Sequence, residues 1–124
     1  MGEILALSWI KSKVFIDEYE YSSHADEERE AEKILLDGVE QAILNGEVLE
    51  KYPDDARGES CLVLGYGNDN CPIHIVCGKT LSNKLRIITV YIPSLPKWLD
   101  ERTRQGGDKW AGITNMTIVT FAVE

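Results

Sequence analysis

The hydrophobic pattern of this chain changes period once, near Glu47. In the opening stretch from Glu3 to Lys11, Ile4, Leu7 and Lys11 fall on one side and Leu5 and Trp9 sit with Ile10, a loose three-to-four spacing that predicts a helix. Ser23 with Asp26 three residues on reads as a capping box. The acids Asp26, Glu27 and Glu28 suit the positive end of a helix dipole, so a second helix is expected from about Ala25 to Leu35. Asp37 with Glu40 repeats that start, Val39, Ala42 and Ile43 form a short apolar stripe, and Asn45-Gly46 supplies a left-handed stop. A third, short helix follows.

From Glu47 the pattern becomes strand-like, with Val48 and Leu49 ahead of the turn composition of Tyr52 to Gly58. Ser60 to Tyr66 and Ile73 to Cys77 flank Gly67-Asn68-Asp69-Asn70, a hairpin signal because asparagine and glycine tolerate positive φ. That connection is too short for a parallel crossover, so the pair is antiparallel. Lys84 to Ile92 makes a further strand that stops at Pro93, since proline cannot donate to a ladder. Leu95 to Arg104 reads as a short helix or turn, and Thr114 to Phe121 as a final strand or a disordered tail. Three helices followed by an antiparallel meander predict an α+β fold, with the helices packed on one face of one mainly antiparallel sheet and the other face free for a ligand.

Length changes this picture little: 124 residues is one domain's worth, and a single domain over 1–124 is expected. The start at Met1 lacks the basic and apolar regions of a signal peptide and no apolar stretch is long enough to span a bilayer, so the expectation is a soluble cytoplasmic protein with no membrane partner. Cys61, Cys71 and Cys77 are odd in number with no Cys-x-x-Cys pair, which argues against a disulfide framework. Net charge complicates any nucleic-acid role, because −8 repels a polyanion. The acidity is local, however. Residues 17–59 hold fifteen acids against four bases, while the remainder holds six acids against nine bases. The C-terminal half therefore offers a modest basic face from Lys79, Lys84, Arg86, Lys97, Arg102, Arg104 and Lys109.

Few residues carry candidate chemistry. Cys71-x-x-His74-x-x-Cys77 has the look of a metal motif, but residues three apart on a strand point to opposite faces, so no metal site is expected. His24 at a helix start beside two serines either meets an approaching anion or bonds locally; the helix's positive end there favours a neutral imidazole, which can act as a general base. His74 lies inside an apolar strand, the usual place of a core or sheet-face histidine. Arg86 is the strand residue best suited to phosphate, through bidentate guanidinium contacts. Tyr91 and Trp98 either stack on bases or anchor the last strand to the core. No glycine-rich phosphate loop, nucleophile elbow or His-Glu-x-x-His motif occurs.

Several short blocks then occur in order at ordinary spacings. They are Tyr21-Ser22-Ser23-His24-Ala25 with the ungapped stretch to Ile43, Gly46 to Asp55, Leu62-Val63-Leu64-Gly65, Ile73-His74-Ile75-Val76, and Ile87 to Trp98. Together they resemble domain-of-unknown-function family 4258 over about residues 4–104, leaving 105–124 as a C-terminal extension. That family is similar to the small bacterial toxins of the RelE and MqsR mRNA-interferase type. The resemblance implies a RelE-like fold and the toxin of a toxin–antitoxin pair, acting on RNA or at the ribosome and held by a small zinc-finger antitoxin. It implies an endoribonuclease without metal or cofactor: a base takes the 2′-hydroxyl proton, cations stabilise the transition state and an acid protonates the departing oxygen. Candidates for that chemistry are His24, Lys51, His74, Arg86 and Tyr91, with His24 first and Arg86 as phosphate clamp. Arg86, Lys97, Trp98, Arg102 and Arg104 are the candidates for RNA binding. The alternative is a non-catalytic acidic interaction protein that keeps the fold.

Overall fold

The computed structural model describes residues 5–105. The chain divides into two compact units, residues 1–92 and 93–124. The first unit runs α1 (Leu7–Phe15), β1 (Tyr19–Tyr21), α2 (Ser23–Ala31), α3 (Leu36–Leu44), β2 (Glu47–Tyr52), β3 (Ser60–Tyr66), β4 (Pro72–Lys79) and β5 (Leu85–Tyr91). Its five strands lie in the order β1-β5-β4-β3-β2. Three of the four pairings are antiparallel and only β1 with β5 is parallel, so the fold is α+β with a mainly antiparallel sheet. The strands expected over 60–66, 73–77 and 84–92 form with ends shifted by at most two residues. Between β3 and β4 the chain turns through Asp69 and Asn70 at φ of 60° and 57°, left-handed values that short polar side chains tolerate.

One face of the sheet carries the core. Ile10 and Val14 of α1, Ala25 of α2 and Val39, Ala42 and Ile43 of α3 cluster with Cys61, Val63, Ile75, Cys77, Ile87 and Val90. Each of the larger aliphatics in that set is worth about 1.5–3 kcal/mol by removal from water. Gly65 lets α3 seat directly on β3, since a Cβ there would lie 1.7 Å from the carbonyl oxygen of Ala42. Cys61 and Cys77 pair across β3 and β4 within this core as free thiols. The hydrogen bond to Cys61, together with burial, holds the Cys77 thiol's ionisation well above its ordinary value.

The other face departs from expectation. Leu62, Leu64 and His74 point away from the helices, yet all three are buried, so the centre of that face is not open to a ligand. The apolar run Cys61-Leu62-Val63-Leu64 does not alternate with polar residues, which is how a strand buried on both faces reads.

Local signals also resolve differently in detail. The cap of α2 is Ser22 rather than Ser23: its Oγ accepts the N–H of Ala25 at 3.0 Å. The cap position of α3 is Leu35, without a side-chain bond, so Asp37 sits in the first turn where its charge faces the helix dipole. Asn45 ends α3 at φ −101° rather than in a left-handed turn, and its amide accepts from the N–H of Tyr66 and donates to the Tyr66 carbonyl. Short β1 covers only Leu85 to Ile87 of β5. Beyond it, the N–H groups of Val90 and Ile92 donate to the carboxylates of Glu28 and Glu32 at 3.0 and 2.7 Å.

In the second unit the described residues are 93–105, and the segment expected to be a short helix or turn forms β6 (Trp98–Asp100) and β7 (Thr103–Arg104), an antiparallel pair. Asp100 explains the change. Its Oδ1 accepts the Arg102 N–H at 2.8 Å, which turns the chain back on itself and holds the carboxyl below its ordinary range. The expected strand or tail at 114–121, and Lys109, lie outside the described residues. Among the described residues no helix is long and apolar enough to cross a membrane.

Candidate active-site cleft

A β-bulge places the start of α2 against the sheet. Val76 pairs with Thr89 and Cys77 with Ile87, which leaves Ile88 as an extra residue on β5. Ser22 fastens there twice: its N–H donates to the carbonyl of Ile87 at 2.9 Å and its Oγ to that of Ile88 at 3.0 Å. The same Oγ caps α2, so one hydroxyl joins helix and strand and fixes where His24 stands. Just before it, Tyr21 buries its hydroxyl with no partner among the described residues, and burial pushes its ionisation up to about 12.

Beside this junction lies a cleft of about 910 Å³ within the first unit. Its walls are the start of α2, the 57–59 lead-in to β3, the end of β4 at Gly78 and Lys79, the β4–β5 connection at 80–82, and β5 at Arg86, Ile88 and Thr89. Arg57, Lys79 and Arg86 line it together with His24 and Glu59. Thr80 and Ser82 add hydroxyls from the connection, their oxygens 3.1 Å apart.

His24 and the three basic wall residues are each held in a definite way. The His24 side chain is 65% exposed, with Nε2 3.3 Å from Glu28 Oε2 one helical turn on, while the other oxygen of Glu28 accepts from β5. Arg86 pairs with Glu20, its neighbour in register on β1, at 3.0 Å. Arg57 grips Asp55 through Nε and Nη2 at 3.0 and 2.8 Å, and the buried Ser60 hydroxyl donates to the same carboxylate at 2.8 Å. The Arg57 guanidinium first, and then Ser60, hold the Asp55 carboxyl well below the usual carboxylate range. Lys79 reaches back over the ring of Trp9, its ammonium 6.0 Å from the centroid.

Of the residues singled out from the sequence, the cleft unites His24 and Arg86. It does not include Lys51, which stands on edge strand β2 opposite Cys61. Nor does it include His74 and Tyr91. These pair across β4 and β5, with His74 Nδ1 3.1 Å from the Tyr91 hydroxyl and the rings edge to face, and His74 is wholly buried. Lys97, Trp98, Arg102 and Arg104 belong to the second unit. There Trp98 is 1% exposed and the Arg104 guanidinium lies 4.6 Å from its ring centroid, so its indole presents no open stacking face. Sequence reasoning did not single out Arg57 or Glu59 for this site, and it counted Lys79 only as general basic surface. The one local hint was Gly58 between them, which takes φ of +116° and lets the chain bend there.

This fold and these blocks have a counterpart among known families. The profile of the domain of unknown function DUF4258 matches residues 21–92, more than half of the chain and shorter at both ends than the stretch from 4 to 104. The chain belongs to this family. No curated protein and no solved structure matches it. The DUF4258 segment runs from Tyr21, just ahead of the α2 cap, to the end of β5, and so contains every wall of the cleft.

Proposed function

We propose that this DUF4258 protein is a metal-independent endoribonuclease of RelE/MqsR-like fold, the toxin of a toxin–antitoxin pair, and that the cleft is where it acts on single-stranded RNA. The observation that carries this reading is the meeting of His24 and Arg86 in one cleft with Arg57 and Lys79. A phosphodiester carries one negative charge and gathers more as its transition state forms, and guanidinium forks are suited to that geometry. Arg86 is the clamp, with Glu20 as the carboxylate that a phosphate displaces. His24, exposed at the mouth, moves a proton. Glu28 of α2 and Glu32 at its C-cap do not bar this role, because they are bonded to the backbone N–H groups of Val90 and Ile92.

Inducible expression with mapping of transcript ends tests the proposal. Growth arrest with new 5′ ends is the expected result, and both are lost in His24→Ala at an unchanged melting temperature. Arg86→Glu lowers RNA affinity about 10-fold or more at low salt in fluorescence anisotropy, whereas Glu28→Lys changes it little. A wild type that binds no RNA at low salt refutes the proposal.

A second reading is favoured by the pairing of Arg86 with Glu20 and of Arg57 with Asp55, which already neutralises two of the three cations. On that reading the protein is a non-catalytic module whose acidic helices bind a basic partner, such as an antitoxin. Absence of RNA binding together with salt-sensitive capture of that partner selects it.

A further inference from the structure

Transesterification of RNA needs two proton transfers, and His24 supplies one. Glu59 is the carboxylate residue on the cleft wall. It is half-buried, and its carboxylate makes no hydrogen bond or ion pair among the described residues, whereas Glu20, Glu28 and Asp55 nearby are all bonded. Its backbone is fixed on both sides. Gly58 precedes it at φ +116°, the buried Ser60 that follows is tied to Asp55, and the carbonyl of Glu59 packs so close to Gly78 that a Cβ there would lie 3.0 Å away. Glu59 and His24 line the same cleft as Arg57 and Arg86, and a carboxylate and an imidazole beside a cation are the groups that general acid–base cleavage of a phosphodiester uses.

We propose that Glu59 is the general base of the cleft and His24 its general acid, on either side of a phosphodiester held by Arg86. The proposal rests on the ribonuclease reading above. Glu59 takes the proton of the ribose 2′-hydroxyl, and the 2′-oxygen attacks the adjacent phosphorus. The bond from phosphorus to the 5′-oxygen breaks as imidazolium His24 gives its proton to that leaving oxygen. The products are a 2′,3′-cyclic phosphate and a 5′-hydroxyl. Nothing is oxidised or reduced, and exchange with water returns one proton to His24 and removes one from Glu59. Glu28 beside His24 Nε2 gives the imidazolium a carboxylate partner before the transfer. The charged and titratable groups that line the cleft with Glu59 are Arg57, Lys79, Arg86 and His24, and Cys61 two residues on is the group Glu59 acts on, with Lys51 opposite it on β2.

The experiment uses the full chain and a single-stranded RNA oligonucleotide, with a second substrate whose scissile 5′-oxygen is replaced by sulfur, a leaving atom that needs no acid. Glu59→Gln is expected to lower kcat about 100-fold or more with KM within about 3-fold, and to remove the acidic limb of the pH–rate profile. Glu59→Asp keeps part of the rate and that limb, which separates lost chemistry from lost folding. The sulfur substrate restores turnover to His24→Ala and not to Glu59→Gln. Restoration of Glu59→Gln instead, or full activity of Glu59→Gln on ordinary RNA, overturns the assignment while leaving a ribonuclease. A wild type that cleaves neither substrate overturns the ribonuclease reading and the assignment with it.

Discussion

The two histidines of the chain are held in opposite ways. His24 stands on the first turn of α2 with most of its side chain in water, tied by one carboxylate contact, while His74 lies in β4 with none of its surface exposed and the Tyr91 hydroxyl on its ring nitrogen. What separates them is register. His74 falls between Leu64 and Tyr91 on interior strands, whereas Ser22 ties the start of α2 to the bulge at Ile88 and leaves the next turn open to the cleft. In this chain a titratable ring is sealed or left in water according to whether its backbone is paired on both sides.

The largest expected effect strikes the sheet on which both histidines depend. Gly65→Ala forces α3 off β3, because the new methyl would overlap the Ala42 carbonyl. A loss of about 3 kcal/mol or more, or failure to fold, is expected in urea denaturation. A midpoint near wild type would show that α3 does not seat where described.

Next comes the contrast itself. His74→Ala leaves a cavity and takes the ring nitrogen away from the Tyr91 hydroxyl, which costs about 2–4 kcal/mol, while His24→Ala stays within about 0.5 kcal/mol of wild type. Equal melting temperatures for the two variants would erase the distinction between sealed and open sites.

A smaller change sharpens the open side. Ser22→Ala removes the cap of α2 and the bond to Ile88 together, and should cost about 1–2 kcal/mol. Amide exchange at Ala25 is expected to quicken first. Unchanged protection there would mean that the bulge alone positions His24.

The smallest effect concerns Tyr21. Removing a buried hydroxyl that has no partner is near neutral or mildly stabilising, so Tyr21→Phe should melt at or slightly above the wild-type temperature. Its ionisation rises from an ordinary value of 10 to about 12 in the folded protein. The stability it contributes is therefore full below pH 10 and declines as pH rises through about 12, and alkaline titration of the phenylalanine variant should show a shallower fall. An identical alkaline fall in both proteins would place that titration elsewhere.

Much of the sheet was legible beforehand. β4 and β5 announce themselves as β-branched runs, β3 as an unbroken apolar run, and Asp69-Asn70 as a turn. β1 was not legible, because three residues become a strand only through parallel pairing with Leu85 to Ile87, far along the chain. The sealing of the sheet's second face was present in the unbroken apolar run of β3, where alternation would have marked an open side. Of the cleft, His24 and Arg86 could be picked out by residue type and local position. Arg57 and Glu59 could not, since they become neighbours of Arg86 only where the lead-in to β3 meets the β4–β5 connection, a closeness that Gly78 permits by lacking a side chain.

Glu28 and Glu32 have a consequence for the protein at high concentration. An uncovered strand border is a template on which another chain can lay its own backbone and so begin an aggregate. Past the end of β1, the N–H of Val90 in β5 and that of Ile92 just after it, which would serve such a template, are already engaged by Glu28 of α2 and Glu32 at its C-cap. The acidity of α2, read as a burden for a partner of polyanions, thus acts there as a guard against self-association. Replacing both glutamates with neutral aliphatics would be felt first as turbidity in concentrated samples.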